Sequence, residues 1–115
     1  QINSSVQSRN RQASKIWNLL MSGFVIANID VKDSEAYKEY VGKVVPTVKK
    51  FGGEYIVRAG EYKVMEGEWE NPRTVVIKFP NYEKALEWYD SEEYKPVKPI
   101  RLKNSVGNMI IIKGV

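Results

Sequence analysis

The feature that most constrains this chain is the order in which its hydrophobic period switches. GFVIANIDV (23–31) alternates with a period of two, and the next twenty residues repeat at three and four. In the first segment Val25, Ala27, Ile29 and Val31 share one face, and Phe24, Ile26, Asn28 and Asp30 share the other. That is a β-strand with one fully apolar face and one mixed face. In DSEAYKEYVGKVVPTVKKFGG (33–53), Tyr37, Tyr40, Val41, Val44, Val48 and Phe51 form a single stripe, as on an amphipathic helix. Asp33 is placed to cap it, Glu35 and Lys49–Lys50 complement the helix dipole, and Gly52–Gly53 supply the stop. Pro46 removes one helical hydrogen bond and predicts a kink near 42–45.

The same switch then repeats. EYIVRAGEYKVMEG (54–67) reads as a strand with a break near Gly60, Tyr62–Met65 continuing the ribbon after a bulge. Within its first piece Tyr55 and Val57 alternate against Ile56 and Arg58. EWENPR (68–73) is a loop, and RTVVIKF (73–79) a third strand. PNYEKALEWYD (80–90) starts a helix capped by Asn81, with Tyr82, Ala85, Leu86 and Tyr89 inward. SEEYKPVKPIRLKN (91–104) begins a further helical turn at Ser91, kept short by Pro96 and Pro99, and VGNMIIIKGV (106–115) closes with a strand. The order β-α-β-β-α-β implies an α+β, ferredoxin-like antiparallel sheet with its helices on one face. The second sheet face then carries too much apolar surface for water, which predicts a homodimer through that face.

Composition excludes several chemistries. The 115 residues contain no histidine and no cysteine. Disulfides, thiolate chemistry, ordinary zinc sites and histidine-based triads are thereby removed, and no metal is expected. The net charge of +4 is concentrated at one end: residues 1–22 hold Arg9, Arg11 and Lys15 and no acid. The rest of the chain carries 15 basic and 14 acidic side chains, so no clustered nucleic-acid footprint is expected. No apolar run reaches the length of a membrane span. Residues 1–22 form an N-terminal extension to a domain spanning 23–115. Within the extension a helix over about 11–21 is predicted from Ala13, Ile16, Trp17 and Leu20, with Ile16, Trp17 and Leu20 docking on the domain or on a partner chain. IWNLLM is too short and interrupted for a secretory core, and the expected location is cytoplasmic.

Several stretches together, AYKEY (36–40), FGGEYIVRAG (51–60), VMEGEW (64–69), VVIKFPNYEKALEWYDSEEY (75–94) and MIIIKGV (109–115), resemble the domain of unknown function 1330 family over residues 23–115. The most specific part runs from the third strand through WYDSEEY. The resemblance implies a ferredoxin-like protomer of the dimeric α/β-barrel superfamily, which also holds small monooxygenases, chlorite-dismutase-like haem proteins and muconolactone isomerases. It implies no particular reaction. Haem binding would lack its axial histidine here, and no cofactor is expected. Three positions depart from the family pattern. Ser34 stands where proline is common, Ala59 replaces the first glycine of an R-G-G turn, and Pro96 and Pro99 interrupt a segment that is usually helical.

Candidate functional residues follow from polar groups in apolar surroundings. Arg58, near the end of the second strand, offers a planar fork for a carboxylate or enolate, or else pairs with Asp30 or Glu66. Asn28 would help orient a ligand, and Asp30, if buried, would act as a base. Trp69 walls a pocket or anchors a dimer, and Tyr89 and Tyr94 donate to a substrate or seal the helix layer. These residues suggest a cofactor-independent site for a small acidic or carbonyl metabolite between sheet and helices. The alternative is a dimeric binding or scaffold module without chemistry.

Overall fold

The computed structural model describes residues 21–115. The helix expected over 11–21, with its docking residues, lies outside them. Four strands form one antiparallel sheet: β1 (Gly23–Val31), β2 (Glu54–Arg58), β3 (Arg73–Phe79) and β4 (Ser105–Lys113), in the order β2-β3-β1-β4. Three helices accompany them: α1 (Ser34–Lys50), α2 (Tyr82–Tyr89) and α3 (Lys98–Asn104). This is the α+β, ferredoxin-like arrangement expected from the period switches.

The register explains which residues enter the core. Val25 of β1 lies between Ile77 and Ile111, and Ala27 between Val75 and Met109. Val25, Ala27, Ile29, Ile77 and Phe79 are all buried on the helix side. α1 supplies Tyr37, Tyr40, Val44 and Val48, and α2 supplies Ala85 and Trp88. Phe24 and Ile26 face the other way with Ile112, Val76 and Ile110, their register partners, as does Asn28 with Thr74 and Asn108.

Local chemistry sets the helix boundaries. The Asp33 carboxylate accepts from the Ala36 amide at 3.1 Å and the Asn81 side chain from the Lys84 amide at 2.8 Å, as N-caps do. Gly52 ends α1 with a φ of 79°, its amide donating to the Lys49 carbonyl. α1 runs its full 17 residues through Pro46. Pro46 is on the solvent side, where water can satisfy the carbonyl it leaves unpaired.

Three expectations change. The chain from Glu61 to Met65 forms no strand, and β2 ends at Arg58. The bulge sits between Tyr55 and Val57, not at Gly60. In α2 the largest inward side chain is Trp88, fully buried, whereas Tyr82, Leu86 and Tyr89 are half-buried. The two prolines limit α3 to seven residues, yet Pro99 also starts it, since the first turn needs no backbone donor.

Candidate functional site

A cavity of about 30 Å³ lies between α1, α3 and the inner face of the sheet. Its walls are apolar on the sheet side, from Val25, Ala27, Ile29, Val75, Ile77 and Met109. Tyr37 and Tyr40 come from α1, and Tyr55 from β2. Three guanidinium groups complete it, Arg58, Arg73 and Arg101. Space of this size holds about one or two waters or a small polar head group.

Each arginine reaches the cavity for a definite structural reason. Arg73 is paired with Ile29 in the β1–β3 ladder, so it shares that residue's inward face. Arg58 arrives through the bulge. Tyr55 pairs with Ile77 and Arg58 with Val75, both inward, because Ile56 adds one unpaired residue between them. Strict alternation would place Arg58 on the opposite face from Tyr55. With the bulge, the Arg58 guanidinium carbon instead lies 4.8 Å from the centre of the Tyr55 ring. Arg101 is carried by α3, whose carbonyl ends are tied down. Asn104 Nδ2 donates to the Ile100 carbonyl at 2.8 Å and Ser105 Oγ to the Arg101 carbonyl at 2.6 Å. The Asn104 carbonyl in turn accepts from the Lys32 amide, fastening α3 to the end of β1.

The electrostatics are one-sided. Arg101 is 6% exposed, yet among the described residues no carboxylate pairs with it. Its Nε donates to the Tyr94 hydroxyl at 3.3 Å. Arg73 Nε is buried and meets no acceptor among the described residues. A buried cation ordinarily requires an anionic or strongly accepting partner. Burial pushes the phenols of Tyr37 and Tyr40 above the ordinary tyrosine range, and that of Tyr55 up to about 12. Arg73 beside Tyr37 and Arg58 beside Tyr55 partly offset this. All three hydroxyls therefore remain protonated at neutral pH and act as neutral hydrogen-bonding groups. The cavity presents cations and hydroxyls against an apolar floor, a chemistry suited to a small anion.

The residues singled out from sequence are divided between two faces of the sheet. Arg58 lines the cavity, and Tyr94, fully buried, touches it through a 2.8 Å hydrogen bond to Tyr40. Tyr89 is half-buried at the helix layer, with the Lys98 ammonium 3.9 Å from its ring centre. Asn28 lies on the outer face, donating to the Asn71 carbonyl at 2.7 Å and to Thr74 Oγ1 at 3.3 Å. Trp69 Nε1 donates to the same Thr74 oxygen at 3.1 Å. Trp69 walls a second, more open hollow of about 400 Å³ with Val57, Tyr62, Val64 and Met65. Asp30 pairs with Lys32 at 2.8 Å in solvent rather than with Arg58. Sequence reasoning left out Arg73, Arg101, Tyr37 and Tyr40. Tyr37 and Tyr40 were visible as part of the α1 stripe, and Arg73 as the first residue of β3. Only the register shows that they face one another across a gap.

The domain of unknown function family DUF1330 matches residues 22–115. The chain belongs to that family. No curated protein matches it. Among solved structures, a protein of unknown function from Rhodopseudomonas palustris is similar with a TM-score of 0.68 and 13% identity, covering 100% of this chain and 95% of that one. SnoaB, a cofactor-independent oxygenase from Streptomyces nogalater, is similar with a TM-score of 0.57 and 6% identity, covering 83% of this chain and 94% of its own. An ethyl tert-butyl ether D (EthD) family protein from Bacillus halodurans gives 0.53 and 15%, covering 83% and 99%. At such identities the likeness concerns the fold: this DUF1330 chain shares its sheet and helix arrangement with these proteins. Among the described residues no helix is long and apolar enough to cross a membrane.

Proposed function

We propose that this DUF1330 protein binds a small acidic or carbonyl metabolite in the cavity between α1, α3 and the sheet, without a cofactor. The observation that carries this reading is Arg101, buried with no carboxylate partner among the described residues. Arg73 and Arg58 add charge to the same cavity, and the apolar floor accepts a hydrocarbon portion. In such surroundings a guanidinium fork holds a carboxylate or a developing enolate strongly. That SnoaB is a cofactor-independent oxygenase is compatible with cofactor-free chemistry on this scaffold.

The same reading includes a homodimer. The outer sheet face exposes Val57, Val106, Ile110 and Ile112 at 40–53% each. Together with Phe24, Ile26 and Val76 they form a continuous apolar surface across all four strands. A second copy presents the same flat surface and covers it by twofold symmetry.

Thermal melts against a panel of small carboxylic acids test the ligand. Binding stabilises the native protein by RT ln(1 + [L]/Kd), so its melting temperature rises with ligand concentration. Arg101→Gln is expected to abolish that rise. A panel in which no acid protects, or protection unchanged in Arg101→Gln, overturns the proposal.

A further inference from the structure

The hydrogen bond between Tyr40 and Tyr94 has a direction, and the groups around it decide which way it runs. The Arg101 guanidinium can only donate. Its Nε gives its hydrogen to Tyr94 Oη at 3.3 Å. Tyr94 is fully buried, and among the described residues the one other group bonded to its hydroxyl is Tyr40 Oη at 2.8 Å. Were Tyr40 the donor, Tyr94 would receive two hydrogens and its own would be buried without an acceptor. Such an orphan carries the full desolvation cost of the group. With Tyr94 as donor, the hydrogen left over is Tyr40's instead, and Tyr40 lines the cavity, where water or a ligand can accept it, whereas Tyr94 does not.

Tyr40 then keeps one hydrogen, and among the described residues no protein acceptor takes it. Its side chain lines the cavity. Burial holds the phenol protonated, so it is a neutral donor. Arg73 Nε–H, also on the cavity wall, is a second buried donor without an acceptor among the described residues. We infer that Arg101, Tyr94 and Tyr40 form a one-way relay that aims the Tyr40 hydroxyl hydrogen into the cavity, where it and Arg73 Nε–H select a carboxylate over the isosteric amide.

This rests on the anion-binding reading and sharpens it. A carboxylate has two oxygens that only accept, about four lone-pair sites in all. It can satisfy both orphan donors and the guanidinium charge together. An amide of the same shape turns an NH₂ group towards donors, which leaves hydrogens facing hydrogens. Tyr40 is thus the specificity-determining contact. Tyr94, which does not line the cavity, is a positioning residue acting through Tyr40.

The test uses the full chain labelled with ¹⁵N, titrated with sodium acetate and, separately, with acetamide at ionic strength matched by sodium chloride. Acetate is expected to shift the Arg73 Nε–Hε resonance saturably, whereas acetamide needs at least about tenfold higher concentration for the same effect. Tyr40→Phe removes one oxygen and keeps the ring. It should weaken acetate about tenfold, as loss of a hydrogen bond to a charged group does, and shrink the acetate-to-acetamide ratio. A merely structural role for Tyr40 would weaken both probes alike. If Tyr40→Phe keeps wild-type acetate affinity and discrimination while Arg101→Gln loses binding, the relay is overturned and the anion site stands. If acetate gives no saturable shift in the wild type, both are overturned.

Discussion

Ala59 adopts a φ of 55°, in the left-handed region that side chains with a Cβ avoid. It stands where the family resemblance expects glycine, and its amide still donates to the Thr74 carbonyl at 2.8 Å. The turn is therefore made despite the side chain. Ala59→Gly should raise stability by roughly 1 kcal/mol, read as a higher urea midpoint at unchanged slope. An unchanged or lower midpoint would show that the turn is unstrained. Gly107 illustrates the opposite constraint at this scale. A Cβ there would lie 2.2 Å from the Asn28 carbonyl oxygen, so a side chain cannot be accommodated without moving the sheet. Sequence inspection finds the unusual residue at position 59. It does not reveal that the backbone kept the glycine conformation, because that depends on the fixed ends of β2 and β3.

At the scale of elements, α1 and α2 are joined by a short polar chain inside an apolar layer. Trp88 Nε1 donates to Thr47 Oγ1 at 2.9 Å, and Thr47 Oγ1 donates to the Val44 carbonyl at 2.6 Å. Trp88 also stacks against Tyr94 with ring centres 4.3 Å apart, and Ser91 Oγ accepts from the Tyr94 amide at 3.1 Å, holding that ring in place. Thr47→Val keeps the shape of the side chain but leaves the buried indole N–H without a partner. A loss of about 1–3 kcal/mol is expected in chemical denaturation, and Trp88→Phe should cost less in that background than in the wild type. WYDSEEY is thus the keystone of the helix layer: its aromatics pack, Ser91 caps, and Glu93 pairs with Lys50 on the surface. The β2 bulge lay beyond sequence reading, because Ile56 carries no turn signal. One extra residue nonetheless decides that Arg58 faces the cavity.

For the whole molecule, the outer sheet face sets the expected behaviour. Ile110 is 52% exposed and lies beside Ile26 at the middle of that face. Burying it between two copies favours the proposed dimer, and a charge there opposes it. Ile110→Glu should convert the protein from dimer to monomer in light scattering behind size exclusion, while leaving the far-UV spectrum of the protomer intact. A wild-type monomer, or an Ile110→Glu dimer of undiminished stability, would remove the sheet-face interface. The cavity lies on the other side of the sheet, so this substitution also separates assembly from ligand binding.

The order of elements, both helix caps, the inward face of β1 and the absence of histidine and thiolate chemistry are properties of local sequence. They follow from side-chain period, capping chemistry and composition, each of which acts over a few residues. The candidate site is not local. Arg58, Arg73 and Arg101 come from three elements, and nothing in their immediate sequence links them. A bulge turns the first inward, ladder register turns the second, and a short proline-started helix delivers the third. Only packing then decides that, among the described residues, no carboxylate pairs with them. The sequence alone therefore determined what could fold, and the tertiary structure decided where charge is left unpaired, because burial and register are set between elements and not within them.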